Sequence, residues 1–269
     1  MSDSMFAVSV AELAIARGLS HAAVQPVSRA ARANLNPEED DSHSNLGWEA
    51  DQKAMTSRPL DPSGRYRLGF SFEDASLVWL DGNTVRSSIP IADGNMQRLY
   101  SWCDDTLSNA GLRPTADATM PYELPAADFT GSVQHQPALS ALGAWYDAAH
   151  IALSTLRQQF GDRVVLMPEP RCWPHHFDLA VLFSLEQGDP ETARSIGVGM
   201  SPGDGSYDMP YFYCSPWPAP STLPSVDEPL TWHTEGFTSI VCTASVMDAS
   251  TDITGLLADA FQTAEASLR

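Results

Sequence analysis

Apolar residues recur along this chain with two periods, and the switches between them predict its elements. Val10, Leu13, Ala14 and Arg17 stand at helical spacing behind Ser9-Val10-Ala11-Glu12, which fits a capping box. Gly18 is expected to interrupt that helix, with Ser20 restarting it toward Arg32. At Tyr66 the period becomes two. Tyr66, Leu68, Phe70 and Phe72 alternate with Arg67, Gly69 and Ser71, the pattern of a half-buried strand. Leu77 to Leu80 and Thr84 to Ile91 follow across the Asp81-Gly82 turn, completing a meander.

Helical spacing returns with Met96, Leu99, Cys103 and Leu107, capped by Asp93 and closed by Gly111. It returns again in the stripe Leu139, Leu142, Tyr146, Ala149, Leu153, Leu156 and Phe160. Val164 to Met167 and Phe177 to Leu185 read as strands. Arg194 to Met200 and Tyr211 to Ser215 read as hairpin arms around Pro202-Gly203-Asp204-Gly205, and Phe237 to Val246 as a last strand. Ile253, Leu256, Leu257, Ala260, Phe261, Ala264 and Leu268 form the apolar face of a final helix. Strict β-α-β alternation is missing. The expectation is therefore an α+β fold, a mainly antiparallel sheet with helices packed on one side. Residues 1–41 are expected to form a helical extension ending in the acidic run Glu38-Glu39-Asp40-Asp41, ahead of a single domain over 42–269.

Composition narrows the function classes. The chain has 269 residues, 43% of them hydrophobic, enough to bury a sizeable core. Its formal net charge is -19 and Lys53 is its only lysine, so no basic stripe exists for a nucleic acid or an anionic membrane. No window approaches the roughly 18 apolar residues of a membrane span. No secretory leader is visible, and Cys103, Cys172, Cys214 and Cys242 form no C-x-x-C pair. These features predict a cytoplasmic protein with reduced, buried thiols.

Candidate chemistry lies where polar residues enter apolar runs: Trp173-Pro174-His175-His176-Phe177-Asp178 and Trp232-His233-Thr234-Glu235-Gly236-Phe237. Burying ionisable groups is costly unless they pair, hydrogen-bond or bind a metal. In extended backbone, residues two apart share a face, so His176 aligns with Asp178 and His233 with Glu235. If the two stretches pair, the four side chains could ligate a divalent metal, work as an acid/base pair, or form a satisfied polar network. His175 would face the other way. Trp173, Tyr207, Tyr211, Tyr213, Trp217 and Trp232 lie close in sequence to these histidines and suit the wall of a small-molecule cleft, which is the leading expectation. A metal-dependent enzyme and a non-catalytic interaction protein are the alternatives.

Several of the same stretches resemble the bacterial family catalogued as domain of unknown function 5996. The likeness runs from about Ser42 to the C-terminus, on Ser42-His43-Ser44, Thr56 to Pro62, Trp173 to Ala180, Ser201-Pro202-Gly203-Asp204 and Tyr211-Phe212-Tyr213. It departs over His21 to Arg32. The resemblance implies one folded bacterial cytosolic domain and gives Asp178 the central place, but transfers no reaction.

Overall fold

The computed structural model describes residues 3–92, 95–189 and 191–269. The fold is α+β, with two antiparallel sheets of five and six strands. The chain divides into two compact units: unit 1 comprises residues 1–6, 145–171 and 178–269, and unit 2 comprises 7–144 and 172–177.

In unit 2, α1 (Val10–Ala23) opens on the expected capping box: Glu12 N donates to Ser9 Oγ at 3.3 Å and Ser9 N donates to Glu12 Oε2 at 3.1 Å. Gly18 does not interrupt the helix. The break falls at Val24, where Pro26, lacking an N–H donor, starts α2 (Gln25–Asn34). The sheet β1 (Gly47–Glu49), β2 (Ala54–Thr56), β3 (Tyr66–Ser71), β4 (Ser76–Asp81) and β5 (Thr84–Pro90) is the expected meander, extended by two short strands. β3 is buried on both faces from Leu68 to Ser71, more than its alternation predicts. Arg67 keeps its charge paired with Glu49, and the small Gly69 and Ser71 let neighbours close over the second face. α3 (Met96–Asn109) is capped by Asn95, whose Oδ1 accepts from Arg98 N at 2.9 Å; Asp93 lies outside the described residues.

The stripe of α4 (Gln136–Phe160) forms the helix it predicts, but the boundary between the units falls within it, and again within β6 (Arg171–Trp173), where a single domain over 42–269 was expected. Unit 1 then holds β7 (Asp178–Ser184), β8 (Ser195–Ser201), β9 (Tyr211–Trp217), β10 (Thr231–His233), β11 (Ser239–Thr243) and α5 (Ile253–Ser267). In space the strands run β10-β11-β9-β8-β7. Val164 to Met167 contributes only a single bridge, Leu166 to Ser184. The last strand stops at Thr243 in a short 3-10 turn. Leu179, Val181, Phe183, Ile196, Val198, Met200, Phe212 and Ile240 are buried on the face that α5 covers. There the Phe261 ring meets Phe160 at 4.4 Å and Phe183 at 4.9 Å. A void beside Phe212, Ile240 and Leu257 is about 10 Å³, hardly room for one water.

Candidate functional site

Residues paired across an antiparallel ladder share a face. The rows Ala180–Gly199–Tyr213, Leu182–Gly197–Ser215 and Ser184–Ser195–Trp217 therefore lie together on the side of the unit 1 sheet turned away from α5. Asp178, two residues before Ala180, joins that face, as do Ser201 and its ladder partner Tyr211. The Tyr213 ring lies over Gly199. A Cβ there would stand 2.5 Å from Tyr213 Oη and 2.6 Å from its Cζ. This close approach requires glycine, and it delivers the phenol to Asp178, whose Oδ2 accepts a short hydrogen bond from Tyr213 Oη.

A second carboxylate–phenol pair lies beside the first. Tyr211 Oη donates to Asp204 Oδ2 at 2.7 Å. Asp204 is set by its own loop: Oδ1 accepts from Ser206 N at 2.8 Å and Tyr207 N at 3.2 Å, while Ser201 Oγ accepts from Gly203 N at 3.2 Å. Burial, then the hydrogen bond to Asp204 and the charge behind it, pushes Tyr211 above the usual phenol range. The hydroxyl thus stays a protonated donor.

The aromatic run continues away from the sheet. The Tyr207 ring lies 4.7 Å from Tyr211 and 5.4 Å from His233, and His233 stacks on Phe237 at 4.1 Å. His233 Nε2 is 2.7 Å from Glu235 O and Nδ1 is 2.8 Å from Tyr207 Oη. A carbonyl only accepts, so Nε2 carries a proton; in the neutral ring Nδ1 accepts and Tyr207 donates. Burial, then the charges of Asp204 and Glu235, raises the Tyr207 pKa.

The expected tetrad is rearranged. His176 and Asp178 do not share a strand, because Pro174 to Phe177 form a turn and Phe177 takes a left-handed φ of 62°. His175 and His176 lie on the exposed side of that turn, His175 only partly desolvated by its neighbours, and with Trp173 they belong to unit 2 while Asp178 begins β7 in unit 1. β10 ends at His233, so Glu235 lies in the turn that follows. It meets the imidazole through its carbonyl, and its side chain is exposed. Trp232 faces the α5 side and donates from Nε1 to Pro224 O at 2.7 Å. Asp178 and His233 lie at opposite ends of a run of three tyrosines. Among the described residues, no group of three or more His, Cys, Asp or Glu could hold a metal ion. The arrangement instead offers carboxylate acceptors beside phenol donors.

Asp204, Ser201 and Phe237 are site residues that reasoning from the sequence did not select, whereas Tyr207 was among the expected aromatic walls. The legible signal was Ser201-Pro202-Gly203-Asp204, a turn in which the aspartate follows a left-handed glycine, φ 105°, and accepts from the backbone of Ser206 and Tyr207.

In unit 2, the turn at Pro174 gathers a separate cluster. Pro174 O accepts from His21 Nε2 at 2.8 Å and Gln25 Nε2 at 2.9 Å, and His21 stacks on Phe177 at 5.1 Å. His175 and His176 rings are 4.1 Å apart, with Tyr122 5.5 Å from His175. Burial first, then neighbouring positive groups, lowers the pKa values of His21 and His175, against the opposing Pro174 hydrogen bond in His21.

No family model matches the chain, and neither a curated protein nor a solved structure matches it. All four thiols are buried and none is in a disulfide. Among the described residues no helix is long and apolar enough to cross a membrane.

Proposed function

We propose that this protein binds a small polar molecule on the face of the unit 1 sheet that carries Asp178, Asp204, Tyr207, Tyr211, Tyr213 and His233. One observation carries the reading: at one end of this sheet face Tyr213 and Tyr211, their rings 6.2 Å apart, donate to the carboxylates of Asp178 and Asp204 respectively. The phenols fix each carboxylate in place before a ligand arrives, which lowers the cost of ordering on binding. The aromatic rings supply flat apolar walls beside these polar groups, the usual composition of a ligand site. In the same reading the protein works in the cytoplasm, supported by buried thiols that form no disulfide. Membership of the resembled family belongs to the same proposal and adds no reaction.

The test is a ligand-observed NMR screen of polar fragments against the wild-type protein and the Asp178→Asn and Tyr213→Phe variants in parallel. A class of fragments should show saturation transfer from the wild type and lose most of it in both variants. A screen in which no fragment distinguishes the variants from the wild type removes the proposal.

A further inference from the structure

From the polar end of this face, a bare strip runs along the same strands. Leu182, Gly197 and Ser215 form one row across it, and Ser184, Ser195 and Trp217 the next. A Cβ built on Gly197 would meet nothing nearer than Ser215 O at 4.0 Å, so the floor is open, unlike Gly199, which Tyr213 covers. Leu182 is 50% exposed on one side of this floor and Trp217 45% on the other. Leu182 stands four residue steps along β7 from Asp178, a span of about 13 Å at the usual rise. Adjacent strands about 4.8 Å apart give the strip the width of a fused aromatic ring system. An exposed leucine and indole flanking a glycine floor make an apolar surface that a flat body would remove from water.

Charge decides what the other end of such a molecule carries. From Ser195 to Leu268 the sequence has no lysine or arginine, while Asp204, Asp208 and Glu235 occupy the loops beside the site. Unit 1 as a whole carries 17 Asp and Glu against five Arg, an excess of 12 negative charges. That field repels anions and concentrates cations at a site whose acceptors are carboxylates and whose walls are tyrosine rings.

We propose that the ligand is an organic cation with a flat apolar body. Its ammonium or guanidinium group is held by Asp178 and Asp204, and its body lies on the strip over Gly197 between Leu182 and Trp217. This rests on the small-molecule reading above and deepens it.

Three probes share one ring system: 2-naphthylmethylammonium, 2-naphthalenemethanol and 2-naphthoate, each titrated calorimetrically into the full chain at neutral pH. The ammonium should bind at least tenfold more tightly than the alcohol, and the carboxylate should give no measurable heat. Asp178→Asn should erase the preference for the cation. Gly197→Leu, which fills the floor, and Leu182→Ser, a surface change that spares folding, should each weaken the ammonium at least fivefold. Equal binding of ammonium and carboxylate overturns the charge assignment. Unchanged affinity in Leu182→Ser overturns the placement of the body. Failure of all three probes while polar fragments still respond to Asp178→Asn overturns this inference and leaves the binding reading standing; loss of that response as well removes both.

Discussion

Along β7, β8 and β9, one set of alternating residues is Leu179, Val181, Phe183, Ile196, Val198, Met200 and Phe212, all buried beneath α5. The other set is Asp178, Ala180, Leu182, Ser184, Ser195, Gly197, Gly199, Ser201, Tyr211, Tyr213, Ser215 and Trp217, its bulk confined to the tyrosines and to the exposed Leu182 and Trp217. One backbone thus carries two surfaces. The first is filled by bulky side chains with almost no void. The second is thinned by glycine and serine so that tyrosines can lie flat and reach carboxylates. The contrast teaches that the small residues of the second face are spatial requirements of its phenols. Removing bulk should cost much on the first face and little on the second, where the loss should appear in binding.

Phe261→Ala tests the packed face and should have the largest effect. The ring is fully buried between Phe160 and Phe183, and such truncations cost about 3–5 kcal/mol. Urea denaturation should show that loss as a lower midpoint with an unchanged slope, and a change under 1 kcal/mol would contradict the packing described. Tyr213→Phe tests the other face. It removes one hydrogen bond from a half-buried hydroxyl, so stability should fall by only about 1 kcal/mol. Fragment binding should nevertheless be largely lost, and equal losses in the two variants' stability would erase the distinction between the faces.

The smallest effect concerns acid. Folding holds His21 and His175 below the ordinary imidazole value of 6.5, through burial for His21 and, more weakly, through partial desolvation for the exposed His175. As pH falls, the unfolded chain therefore takes up protons before the folded one does. Stability is full above about pH 6.5 and declines as pH drops below it. The charged and titratable groups around this turn are Arg17, Asp41, Tyr122 and His176, of which Asp41 opposes the trend for His175. Thermal midpoints between pH 8 and 5.5 should decline less steeply in His21→Gln than in the wild type. A parallel decline would locate the acid response elsewhere than the Pro174 turn.

Much of the fold was legible because it is local. The capping box at Ser9, the alternation from Tyr66 and the stripes of α4 and α5 each declare themselves within a few residues. The division into two units was not, since it depends on which distant segments meet and cuts through a continuous helix. Tyr211 and Tyr213 were recognisable as aromatic residues close in sequence to the histidines, and Asp178 by its place at the edge of an apolar run. The partners assigned to Asp178 were wrong for a backbone reason. A phenylalanine at positive φ is rare, and nothing in Pro174-His175-His176-Phe177 announces that the strand stops there. Glu235 was misplaced likewise, because the left-handed Gly236, φ 84°, turns the chain just after β10.

The stretch without basic residues, from β8 through α5, has a practical outcome at the bench. Trypsin cleaves only after lysine or arginine, so digestion beyond Arg194 releases Ser195 to Arg269 as a single 75-residue peptide. That fragment holds every candidate ligand contact of unit 1 except Asp178 and Leu182, and a mass shift on it after covalent labelling would report on the site directly.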